Sequence, residues 1–148
     1  MKKNISLERW MIVELGQPES WQSELPSLEK MIEQSPSIHR RSASHRLFID
    51  SKKEIYYLGC EISGTLISLP APYQIIDFGP FEMEMTLPKK MQLSLNFDFF
   101  EKNALQFLKE NTKYCLWGID FRRRLEEDDQ LRLEYVLIFF PKNFLENL

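Results

Sequence analysis

The sequence predicts an α+β domain of duplicated βαββ units, forming a mostly antiparallel sheet with two helices plus an inserted hairpin. Three observations predict it. Apolar residues recur at every second position in short runs that Gly and Pro interrupt. Two other segments carry them at spacings of three and four, as a helix face does. Finally, Trp10-Met11-Ile12-Val13-Glu14-Leu15-Gly16 lines up by residue class with Tyr73-Gln74-Ile75-Ile76-Asp77-Phe78-Gly79. A helix and a hairpin follow each, and a repeated order of elements points to duplication. With 148 residues the chain fits a single domain, its half-repeats at about 8–63 and 71–142.

Each element has its own signal. Arg9 to Leu15 is short and rich in aromatic and aliphatic residues, and Gly16-Gln17-Pro18 stops it, so it reads as a strand. Trp21, Leu25, Leu28 and Ile32 then share one helix face. Pro26 is tolerated if that helix begins near Ser23, because the first turn needs no N–H there. The polar, basic stretch holding His39, Arg40, Arg41, His45 and Arg46 reads as a loop. Leu47 to Asp50 and Glu54 to Ile62 follow as a hairpin. Tyr73 to Phe78 is the next strand, ended by Gly79-Pro80. Phe81, Met83, Met85 and Leu87 alternate with polar residues, and so do Met91, Leu93, Leu95 and Phe97 across Pro88-Lys89-Lys90. That period of two predicts the inserted hairpin. Asp98 with Glu101 resembles a capping box and starts the second helix, whose stripe is Phe100, Ala104 and Phe107. Cys115 to Leu125 and Leu131 to Phe140 close the chain as a long hairpin.

Bulk composition narrows the function classes. A net charge of −3 argues against general affinity for nucleic acid. No apolar run approaches the roughly 20 residues that span a bilayer, so no membrane partner is expected. Lys2 and Lys3 precede no apolar stretch, which speaks against a secretory signal and for a cytoplasmic protein. Cys60 and Cys115 lie in apolar surroundings and read as reduced core thiols, with a disulfide between them left open. No HExxH, CxxC, P-loop, dinucleotide or nucleophile-elbow pattern occurs. No metal, no cofactor and no catalytic residue is therefore expected, and a binding protein is preferred to an enzyme.

Tyr56-Tyr57-Leu58-Gly59-Cys60-Glu61-Ile62, followed by Leu69-Pro70-Ala71-Pro72-Tyr73, resembles the GyrI-like domains. These are small-molecule-binding and effector-binding domains, found alone and fused to AraC- and MerR-type bacterial transcription regulators. The resemblance covers roughly residues 5–142. It implies a duplicated βαββ fold with a ligand pocket between the halves. Where that family often places an acid facing cationic ligands, this chain has Arg122, within Asp120-Phe121-Arg122-Arg123-Arg124. A neutral or anionic ligand, or a protein partner, is therefore expected instead of a cation.

The candidate ligand-binding residues are Tyr57, Glu61, Tyr73, Trp117, Phe121, Arg122 and Tyr135. Glu61 is either a pocket acid, with Arg122 as its partner, or a solvent-facing strand glutamate. Trp117 and Phe121 share a strand face that excludes Arg122 unless a bulge intervenes at Gly118. The tyrosines either wall a cavity or are simply half-buried. The preferred function is a stand-alone ligand-binding module that takes a small aromatic or hydrophobic molecule and regulates through a protein partner. The alternative is a protein-interaction domain, inhibitor or antitoxin-like, using its strand edge. The third reading is a weak hydrolase with Glu61 as its acid.

Overall fold

The computed structural model describes residues 8–50, 53–64, 69–78, 81–86, 93–114, 116–125, 128–129 and 131–141. Its elements are β1 (Glu8–Leu15), α1 (Trp21–Glu33), β2 (Ile38–Asp50), β3 (Ile55–Gly64), β4 (Gln74–Phe78), β5 (Met83–Thr86), α2 (Leu93–Glu110), β6 (Leu116–Leu125) and β7 (Leu131–Phe140). The fold class is α+β. Among the described residues seven strands form one sheet in the order β4-β1-β3-β2-β6-β7-β5, each neighbouring pair antiparallel. Within it, β1-α1-β2-β3 lays its strands down as β1-β3-β2, and β5-α2-β6-β7 lays its own down as β5-β7-β6. The two sets meet where β2 pairs β6, from His45 opposite Phe121 to Ile49 opposite Trp117. Outward from that seam the two sets run in the same order, as β2-β3-β1 on one side and β6-β7-β5 on the other.

Four expectations need correcting. First, the second βαββ set opens with β5, not with Tyr73–Phe78. The latter segment forms β4, an additional strand on the outer side of β1, so its match to Trp10–Gly16 reflects two apolar strands of similar composition. Second, the inserted hairpin does not form. Met83–Thr86 pairs with β7, while Leu93–Phe97 belongs to α2. Residues four apart satisfy both a strand's period of two and a helix's near-return after four, and Phe97 continues into Phe100 and Ala104, all buried. Asp98 is therefore inside the helix and caps nothing.

Third, the basic stretch is not a loop. His39 to Arg46 belong to β2, which pairs β3 on both sides of an irregularity between Arg40 and His45. Polar residues conceal the strand because this end of β2 has exposed positions, His39 and Arg41 among them. Fourth, α1 starts at Trp21, after one 3-10 turn at Pro18–Ser20. Pro26 thus sits beyond the first turn. It is exposed, so the carbonyl it leaves without a partner is on the solvent side.

Both helices cover one face of the sheet. Met11, Val13, Leu47, Ile49, Leu58, Cys60, Trp117, Ile119, Leu137 and Phe139 point to that side and bury against Trp21, Leu28, Ile32, Phe97, Phe100 and Ala104. Cys60 is a free buried thiol whose pKa burial pushes up to about 11, so it stays protonated and inert. Cys115 lies outside the described residues.

Among the described residues the opposite face carries no helix, yet Trp10, Ile12, Phe48, Leu116, Val136, Ile138 and Phe140 are fully buried on it. Chain length explains how. The outer strands β4 and β5 are six strand spacings apart in the order, roughly 29 Å in a flat sheet. Phe78 and Met83 are only five residues apart, and five residues reach at most about 18 Å. The sheet must therefore curl, bringing its rims together and turning this face inward. Phe81, on the connection, packs against the second cluster. Trp10 meets Phe48 edge-on at 5.4 Å, and Phe48 lies 5.9 Å from Phe140.

Candidate functional site

The seam presents different chemistry on its two faces. On the helix side His45 of β2, Phe121 of β6 and Tyr135 of β7 stand side by side in register. Trp21, the first residue of α1, lies 4.7 Å from Phe121 and 5.7 Å from His45, ring centre to ring centre. His45 and Phe121 are 4.5 Å apart. From the second unit, Tyr135 meets Phe121 edge-on at 5.4 Å and Phe100 at 5.9 Å. Phe121 is thus a floor, with Trp21 and His45 on one flank and Tyr135 and Phe100 on the other. Tyr135 and His45 are half-buried, whereas Phe121 and Phe100 are buried. Burial pushes the Tyr135 hydroxyl's pKa up.

On the inward face the same seam holds a chain of ion pairs. Arg46 Nε donates to Asp120 Oδ1 at 2.9 Å, and an Arg46 terminal nitrogen donates to Glu8 Oε2 at 3.0 Å. Arg122 Nε donates to Asp120 Oδ2 at 2.7 Å and reaches Glu84 Oε2, also at 2.7 Å. Trp10 Nε1 donates to Glu8 at 3.1 Å. The guanidinium of Arg46 lies 4.5 Å from the Trp10 ring centre and 5.2 Å from that of Phe81, with Arg122 5.7 Å from Phe81 on the other unit. Burial works against the charge of Arg122, but hydrogen bonds to Glu84 and Asp120 outweigh it and raise its pKa. This chain ties β1, β2, β6 and β5 together.

The structure divides the seven candidate residues. Phe121 and Tyr135 join the ring cluster at the seam. Trp117 shares their face but is fully buried beside Phe97 at 6.1 Å, and Tyr73 packs on the same core ahead of β4, away from the seam. Tyr57, Glu61 and Arg122 belong to the other face: Tyr57 packs on the inward cluster, and Glu61 pairs opposite Trp10. The strand β6 keeps continuous register from Leu116 to Leu125. No bulge at Gly118 unites Phe121 with Arg122, and the pairing of Glu61 with Arg122 does not occur.

Glu61 instead interacts with Arg41, Arg46 and the Ser42 hydroxyl. Burial, reinforced by Glu8, outweighs these partners and holds its pKa above the usual carboxylate value. For an acid, a raised folded-state value means the ionised form opposes folding. The penalty is complete above the folded pKa and vanishes below the unfolded one. Glu61→Gln should therefore raise the melting temperature at pH 7, and the gain should fade by about pH 4. Thermal melts across that range measure it; a lower melting temperature at pH 7 would show that the cationic neighbours dominate.

Sequence reasoning missed Trp21, His45 and Phe100 at the ring cluster, and Glu8, Arg46, Phe81, Glu84 and Asp120 in the charged chain. His45 had a usable signal: it alternates with Leu47 and Ile49 once the basic stretch is taken as strand. Shallow cavities among the described residues lie elsewhere. One of about 270 Å³ is bounded by Glu29, Ile32, Glu33, Ile38, His39 and Arg40. Another, about 250 Å³, lies among Arg9, Arg41, Ile62, Ser63, Gly64 and Asp77. Among the described residues no group of His, Cys, Asp and Glu is placed to hold a metal ion, and no helix is long and apolar enough to cross a membrane. No family model, no curated protein and no solved structure matches the chain.

Proposed function

We propose that this chain is a GyrI-like ligand-binding module. It takes a small aromatic or hydrophobic molecule, neutral or anionic, at the seam of its two units and regulates through a protein partner in the cytoplasm. The observation that carries the reading is the ring cluster at the β2–β6 junction, where α1, β2, β6, β7 and α2 converge on Phe121. Aromatic walls with few polar groups are what small-molecule sites use. The rings touch one another, so a flat ligand binds by moving Trp21 off Phe121 and lying on Phe121 with the indole at its edge.

A thermal-shift screen with hydrophobic neutral and anionic compounds tests this, followed by amide mapping of hits. Hits should perturb His45, Phe121 and Tyr135 and raise the melting temperature. If no compound class stabilises the protein, the reading is lost.

One observation favours a second reading, a protein-interaction domain. The strand β5 is outermost in the sheet, and its Met83 is 42% exposed; such edges recruit extended segments. A partner that co-purifies and protects β5 amides would favour it. The hydrolase reading loses its footing here, because Glu61 is on the face away from the rings.

A further inference from the structure

We infer that Trp21 is the polar anchor of the seam, its indole N–H donating to a carbonyl or carboxylate oxygen on the ligand. The inference rests on the seam reading and names the chemistry that reading requires. Trp21 is 7% exposed, and its Nε1 is buried without a hydrogen-bond acceptor among the described residues. An indole nitrogen only donates, and a buried donor without an acceptor is unfavourable enough that each case needs a reason. Trp10 shows the contrast within the same sheet, since its Nε1 has Glu8 Oε2 at 3.1 Å. The Trp21 ring lies 4.7 Å from the floor ring and tilted 31° to it, so an oxygen substituent at the edge of a ligand lying on Phe121 would come within its reach.

Polarity follows from the rest of the cluster. Tyr135, half-buried beside Phe121, adds a hydroxyl whose pKa burial raises. An oxygen acceptor lying at Phe121 thus finds two donors, the Trp21 indole and the Tyr135 hydroxyl, and neither offers an acceptor charge to a cation. Trp21 therefore positions and selects the ligand.

Three probes sharing one ring system separate the possibilities: 2-naphthoate, 2-acetylnaphthalene and 2-naphthylmethylammonium. Calorimetric titration of the full chain should show the acid and the ketone binding, and the ammonium at least tenfold weaker. Trp21→Phe keeps a ring and deletes the donor. It should weaken the acid and ketone about tenfold, leave the ammonium unchanged, and leave the circular dichroism as it was. If the ammonium binds best while amide shifts still centre on Phe121, the seam is the site but the proposed polarity is wrong. If Trp21→Phe leaves every affinity unchanged while Phe121→Leu abolishes binding, the anchor role is wrong and the site stands. Absence of binding by all three probes would overturn both.

Discussion

Asp120→Asn is expected to lower the unfolding free energy by about 3–5 kcal/mol, the usual loss when one partner of a buried pair is removed. The Asp120 side chain is only 5% exposed and divides its two oxygens between Arg46 and Arg122, one from each unit. Asparagine keeps the size but leaves two guanidinium groups short of a carboxylate, with Arg46, at 10% side-chain exposure, left to Glu8 alone and Arg122 to Glu84. The outer link behaves differently. Glu84 is 45% exposed, so Glu84→Gln should change stability by no more than about 1 kcal/mol, as exposed pairs do. Denaturant midpoints of the two variants provide the comparison. Equal, small losses would mean that the charged chain does not hold the seam.

Gly118→Ala is the second large effect, and it acts through space alone. A methyl group at Gly118 would stand 2.4 Å from the Leu47 carbonyl oxygen, a backbone atom that cannot swing aside. Gly118 and Leu47 are on β6 and β2, the two strands that join the units. Relief therefore requires those strands to separate, at about 3 kcal/mol, the upper range for overpacking a well-filled interior. Gly16→Ala is the control, because nothing lies within 4 Å of a methyl group there. If both substitutions melt alike, the close approach at the seam is not what Gly118 provides.

Much of this architecture was legible where residue pattern has a single physical meaning. Met11, Val13 and Leu15 alternate with one face, and Trp21, Leu28 and Ile32 follow a helix repeat; all are buried as that pattern requires. The sequence failed where two periods coincide, at Leu93 and Phe97, and where a strand is polar, at His39 to Arg46. It also could not tell which apolar strand sits where. The class match between β1 and β4 was real as composition, but hydrogen bonding put them beside each other, not at equivalent positions. The candidate site was half legible. Phe121 and Tyr135 belong together because paired strands place them so, while Arg122 is excluded by the same alternation. The charged chain was hidden, since Glu8, Arg46 and Glu84 meet Asp120 and Arg122 only across four strands.

The brief run of chain between β4 and β5 also acts like a string drawn across a bow. Because it is too short for a flat sheet, it fixes the sheet's bend, and bending toward one side fans out whatever is mounted on the other. α1 and α2 are mounted there, on either flank of Phe121. The length of that run thus bears, from the opposite face, on how far apart the two helices stand over Phe121.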